Sequence, residues 1–134
     1  MLPTEIARFN DSQWPLVLIE WPKTMDQAGF DQFAREFDAL LARKQPFAVV
    51  MIVEGVTPPS SQIRRCISDY QKTRVDQTSV YISRWAFVVE SPLIKGVLTA
   101  IRWMVPAAYA EEHFTKLHEA KAWASAAVTA APAT

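Results

Sequence analysis

Phe47-Ala48-Val49-Val50-Met51-Ile52-Val53 is apolar at every position, so both alternating faces of this segment, read as a strand, have to be covered. A strand of that kind lies between two layers of helix and is expected at the centre of a sheet. Just before it, Phe30, Phe33, Ala34, Phe37, Leu40 and Leu41 recur at the spacing of one buried helical face. Gln32, Arg35, Asp38 and Arg43 mark the opposite, wetted face. Thr24 followed by Gln27 has the form of a capping box at the start of this helix. Further back, Ile6 to Phe9 and Leu16 to Trp21 carry β-branched and aromatic residues, with the turn formers Asn10-Asp11-Ser12 between them, and predict an antiparallel hairpin. Pro22 ends its second strand.

Beyond the central strand the chain bends through Gly55 to Pro59, after which Ser60 or Ser61 can cap a second helix with Ile63, Cys66, Ile67 and Tyr70 on its inner face. Val75 to Ser83 fits either a continued helix or irregular chain. Trp85 to Val89 is again apolar throughout and reads as a strand. Ser91-Pro92, a capping side chain followed by proline at the first helical position, opens a third helix that Pro106 limits. Glu112 to Thr115 fits a short edge strand, and Lys116 to Ser125 a last helix with Leu117, Ala120 and Trp123 on one face. The order ββαβαβαβα implies an α/β domain whose mixed sheet is mostly parallel and flanked by helices. Residues 1–128 are expected to form it, with 129–134 a disordered tail of Thr, Ala and Pro.

A chain of 134 residues suits one domain. Fourteen basic and fourteen acidic side chains cancel, so no overall field gathers nucleic acid or an anionic membrane around it. Glu5 and Arg8 interrupt the N-terminus where a signal peptide needs an apolar stretch, and no apolar run reaches the roughly 18 residues of a membrane span. With the lone Cys66 excluding an internal disulfide, the expectation is a cytoplasmic protein without a membrane span. Cys66 itself reads as a buried small apolar residue rather than a nucleophile. Gly29, Gly55 and Gly96 form neither a dinucleotide fingerprint nor a phosphate loop. His113 and His118 are not spaced to share one helix turn, so no metal site is expected. Glu111-Glu112 read as residues leading into a strand rather than a catalytic pair. No catalytic residue and no cofactor is expected.

Two surfaces stand out. Arg64, Arg65, Lys72 and Arg74 make the second helix basic, with only Asp69 and Asp76 nearby. A solvated face explains this, as does an acidic partner or a phosphate-bearing ligand. Aromatics do not interleave with these charges, so no nucleic acid is expected. On the third helix, Leu93, Ile94, Val97, Leu98, Ile101, Met104 and Val105 extend past one core face and, with Trp103, leave Lys95, Thr99 and Arg102 as a narrow polar stripe. A protein partner, a homodimer interface, a lipid-sized ligand or the terminal helix folded over it would each bury the excess.

Phe87-Val88-Val89-Glu90-Ser91-Pro92-Leu93-Ile94-Lys95-Gly96-Val97-Leu98-Thr99-Ala100-Ile101-Arg102-Trp103 resembles the SpoIIAA-like family of small bacterial proteins. There a strand runs into an SPL(I/L)(R/K)G…TAI.W helix, followed by prolines and an aromatic, here Pro106 and Tyr109. Ile6-Ala7-Arg8-Phe9 and the passage from Leu40-Leu41-Ala42-Arg43 to Phe47 are also similar, so the likeness spans nearly the whole chain. It implies a STAS-like fold, one also described as similar to CRAL-TRIO lipid-binding domains. It further implies a non-enzymatic regulatory or adaptor domain acting by protein–protein interaction or, alternatively, a carrier or sensor of a small apolar, lipid-like ligand. In STAS-type antagonists a serine at the start of the helix after the central strand is phosphorylated, and Ser60 and Ser61 hold that place. A phosphate there would meet free helix N–H groups and the positive end of the helix dipole. Pro58-Pro59-Ser60-Ser61-Gln62 departs from the Asp-Ser-Ser-Gly pattern of those antagonists, so a plain helix cap is the other reading.

Overall fold

Five strands follow one another across a single sheet in chain order: β1 Arg8–Gln13, β2 Leu16–Glu20, β3 Phe47–Ile52, β4 Ile82–Val88 and β5 Ala110–Phe114. The computed structural model describes residues 6–129. β1 runs antiparallel to β2, and each later neighbour is parallel to the last. The helices are α1 Gln27–Leu41, α2 Ser61–Thr73, α3 Val75–Tyr81, α4 Pro92–Met104 and α5 Leu117–Thr129. The order is the expected one with a single addition, α3, in the stretch that fitted either helix or irregular chain.

Right-handed crossovers that each step one strand in the same direction leave their helices on the same face of a sheet. So α1, α2 and α4 pack on the face that carries Val17, Ile19, Phe47, Val49, Met51, Trp85 and Phe87. The other face carries Leu16, Ala48, Val50, Ala86 and Val88 and falls to α5. β3 is central, and its alternate residues serve these two cores, which is why neither face of it could be polar. Ala120 and Ala124 of α5 are fully buried, and their small size lets the helix lie close on β3 and β4. The terminal helix therefore does not fold over α4; the sheet stands between them.

Element ends differ from expectation for local reasons. Asn10-Asp11-Ser12 lie inside β1, where Asn10 Oδ1 accepts from the Ser12 N–H at 3.0 Å and the pairing register with β2 shifts. That side-chain bond makes an Asx-type bend and a bulge, while the reversal falls at Trp14-Pro15, joined by a cis peptide bond. Asp26, not Thr24, caps α1, its carboxylate accepting from the Gly29 N–H at 2.7 Å. β4 begins at Ile82 rather than Trp85, and β5 at Ala110 rather than Glu112. α5 runs past Ser125 to Thr129, and residues 130–134 of the expected tail lie outside the described residues.

Candidate functional site

On the α1 to α4 face the core does not close completely. α4 reaches the sheet through long side chains, unlike the alanines of α5, and a cavity of about 110 Å³ remains beneath it. Phe37 of α1, Trp85 of β4, Tyr70 and Gln71 of α2, and Leu98 and Ile101 of α4 are among its walls. The lining is mainly aromatic and aliphatic. Two residues of its wall carry a buried polar atom: Trp85 is only 8% exposed, and neither its Nε1 nor the buried Oε1 of Gln71 has a hydrogen-bond partner among the described residues. Unpaired buried polar atoms are uncommon because each forfeits its hydration without replacement.

Two polar clusters flank the cavity. Arg102 of α4 forms a bidentate ion pair with Glu111 of β5 (Nε to Oε1 3.2 Å, with a second bond from Nη2 to Oε2), and its Nη1 donates to the Val105 carbonyl at 2.8 Å. Tyr109 stacks on Trp85 with ring centroids 5.7 Å apart, and burial pushes its hydroxyl up to about 12. On the other side Asp38 of α1 receives the Tyr70 hydroxyl at 2.8 Å and Arg74 through Nε at 3.0 Å and Nη2 at 2.8 Å. The Arg74 guanidinium lies 4.3 Å over the Tyr70 ring. Burial, then the Asp38 carboxylate, pushes the Tyr70 hydroxyl well above its ordinary range. The bonded guanidinium of Arg74 holds the Asp38 carboxyl below its ordinary 3.8. A carboxylate with a depressed folded pKa stabilises the fold above its unfolded value and loses that contribution as pH falls through the folded one. The gap in urea midpoint between the wild type and Asp38→Asn is therefore expected to be full at pH 7 and to narrow below about pH 4. Urea melts of both proteins from pH 7 to pH 2.5 measure it; a gap independent of pH would mean the ion pair contributes nothing.

A second concavity runs along the surface between α2 and α4. Arg64, Arg65 and Lys72, with Asp69, line its α2 side; Leu93, Ala100 and Met104 line its α4 side. Leu93 is 63% and Met104 60% exposed, and Trp103 on the same helix is 82% exposed. Between the two walls Ser68 is 2% exposed, and its Oγ has no partner among the described residues. Among the described residues Arg64, Arg65 and Lys72 enter no ion pair.

The residues singled out in the sequence thus divide. Of the apolar set on α4, Ile94 and Ile101, with Val105 just past its end, are buried; Val97 and Leu98 are half-buried; Leu93, Trp103 and Met104 face solvent. Arg74 leaves the basic face, since Asp38 turns it inward. Ser60 caps α2, its Oγ accepting from the Ile63 N–H at 3.2 Å, while Ser61 is exposed at one end of the groove. Cys66 is half-buried rather than buried, its thiol directed at Gln27 Oε1. Glu111 and Glu112 both lie within β5 instead of ahead of it, and the Glu111 carboxylate is committed to Arg102. His113 and His118 are exposed on β5 and α5, and no cluster of potential metal ligands occurs among the described residues. Nor is any helix among them long and apolar enough to cross a membrane. The cavity, its two unpaired polar atoms and both ion-pair clusters were not anticipated from sequence.

No protein-family model matches the chain, and no curated protein matches it in sequence. Among solved structures it is similar to an anti-sigma-factor antagonist (STAS) domain protein from Planctomyces limnophilus, at 20% identity and a TM-score of 0.56, over 87% of this chain and 96% of that one. At that identity the likeness speaks to fold, and with the five-stranded sheet and its helices it gives this chain a STAS-like α/β fold.

Proposed function

We propose that the chain is a non-enzymatic, cytoplasmic regulatory or adaptor domain that binds a protein partner along the groove between α2 and α4. The observation that carries this reading is the pairing, on one surface, of exposed Leu93 and Met104 with Arg64, Arg65 and Lys72, cations that enter no ion pair among the described residues. Excess apolar surface on a helix is stabilised by being covered, and a row of cations beside it selects what covers it. A segment with apolar residues at helical spacing, flanked by carboxylates, meets both demands. The structural likeness to an antagonist domain supports a regulatory class.

Ser61 supplies a means of control within this reading. It stands one helical turn before Arg64 and Arg65, so a phosphate on it would engage their charge and repel an acidic partner. Ser60, already occupied as the cap, contributes to the stability of α2 instead.

Leu93→Asp combined with Met104→Asp alters exposed positions only, so the thermal midpoint is expected to stay close to wild type while partner affinity falls about 30-fold or more. Affinity capture from the source cells with wild type and variant side by side, and circular dichroism melts of both, test this. Equal capture by the two proteins would remove the groove as the binding surface. Substitutions at Leu98 or Ile101 do not discriminate, since both wall the cavity.

The carrier reading has its own support in the apolar cavity wall. A site for a drug-sized ligand occupies roughly 300–1,000 Å³, so carrying a lipid would require α4 to swing outward from a cavity of about 110 Å³. Native mass spectrometry of the protein from its own source separates the two: a lipid-sized mass lost on denaturation favours the carrier, and a protein companion or a bare chain disfavours it.

A further inference from the structure

We propose that the groove between α2 and α4 is the face on which two copies of this chain pair about a two-fold axis, forming a reversible dimer. This inference rests on the reading of the groove as a protein-binding surface and names its occupant in the isolated protein. α2, with α3, and α4 each return the chain from the end of one parallel strand to the start of the next, so α2 and α4 run in the same direction along the groove. Ser61 and Pro92 therefore stand at one end of it, Lys72 and Met104 at the other. A two-fold axis across the middle, level with Ile67 and Leu98, turns the second copy end for end and sets α2 against α2 and α4 against α4. Leu93, 63% exposed, then meets the partner's Trp103 and Met104 at each end of the interface. Between them Gly96 and Ala100 are exposed and small, and the space over Gly96 is open, which lets the two helix backbones come close.

Charge selects this arrangement. Asp69 is the acidic member of the groove wall and stands one helical turn after Arg65, yet the two form no ion pair among the described residues. About the same axis each Arg65 faces the partner's Asp69, and each Asp69 the partner's Arg65, giving two reciprocal ion pairs. An axis along the groove would instead set Asp69 level with Asp69 and Arg65 level with Arg65, and forgo both pairs. Lys72 gains no carboxylate, and the patch is small. It measures about 20 Å along the helices by about 20 Å across the pair, roughly 500 Å² per copy, at the low end for a specific interface. The dimer therefore dissociates readily, with a Kd of about 10–100 μM. Because it covers the groove, another protein that docks there does so at the dimer's expense.

Sedimentation equilibrium of the full chain from about 5 μM to about 500 μM measures the association. Leu93→Asp combined with Met104→Asp is expected to weaken it at least about 30-fold. Arg65→Glu and Asp69→Arg each set like charges opposite one another and are each expected to weaken it about tenfold or more. Mixed one to one, these two variants regain complementary pairs and are expected to associate with each other within about threefold of the wild-type affinity. Thermal melts at about 5 μM, where the wild type is itself mostly monomeric, check that every variant is folded. A wild type that stays monomeric to about 500 μM would overturn the dimer and leave the groove to another protein, which the capture experiment decides separately. Undiminished association of the Leu93→Asp, Met104→Asp variant would move the contact to another surface. A mixture of Arg65→Glu with Asp69→Arg that associates no better than either alone would overturn the two-fold arrangement.

Discussion

Phe37→Ala is expected to destabilise the fold by about 3–5 kcal/mol, the range for removing a buried aromatic ring. Phe37 is 1% exposed and lies at a junction of rings: Phe33 at 5.7 Å, Phe47 at 5.9 Å, Trp85 at 5.5 Å and Tyr70 at 6.3 Å between centroids. It links α1 to β3, β4 and α2 at once, so its loss weakens the hold of the first helix on the two central strands. The hole left behind would open into the existing cavity, and the sheet and four helices that frame that space cannot all move inward to fill it. Cost rises with residual void volume, which places the effect toward the upper part of the range. In a domain of this size the thermal midpoint should fall by roughly 10–20 °C. Urea denaturation of wild type, Phe37→Leu and Phe37→Ala measures it, with leucine intermediate. A loss below 1 kcal/mol for alanine would mean that α1 is not anchored through this ring.

The parts of the fold that were legible in the sequence are those where one residue pattern has one physical meaning. A strand apolar on both faces has no half-exposed solution, so β3 identified itself, and Ser91-Pro92 admitted little except a helix start. Asn10-Asp11-Ser12 was misread as the hairpin turn because the same residues suit a bulge, and only the pairing with β2 decides between them. α4 showed that it carries more apolar surface than one face can bury. What it did not show is how that surface divides, because the division depends on the destination of α5, which packs on the far side of the sheet rather than on α4. The polar clusters were hidden for the opposite reason. Periodicity assigns Asp38 to a wetted face and Arg102 to a polar stripe, and nothing local announces that each finds a partner on another element. Trp85 was concealed by its company: in an apolar run, the indole contributes as hydrocarbon and its N–H goes uncounted.

Removing the Glu111 carboxylate tests the second of these clusters. Glu111 is 12% and Arg102 22% exposed at the side chain, so Glu111→Ala strands a largely buried guanidinium that keeps its bond to the Val105 carbonyl and its place over the Tyr109 ring. Breaking a fully buried pair costs about 3–5 kcal/mol, and the residual solvent access here lowers the expectation to about 2–3 kcal/mol. Glu111→Gln retains an acceptor without the charge and should lose about 1–2 kcal/mol. Replacing both partners, Arg102→Leu with Glu111→Leu, removes the uncompensated charge along with the pair and should recover most of the loss, since apolar substitutes for buried ion pairs are often neutral or better. The double-mutant cycle built from these leucine variants, followed by urea denaturation, is expected to give a coupling of about 1.5–3 kcal/mol. A coupling under about 0.5 kcal/mol would place the pair with solvent-screened surface contacts. The last turn of α4 and the edge strand β5 would then be held beside the cavity by Tyr109 stacked on Trp85 and by the β4–β5 hydrogen bonds.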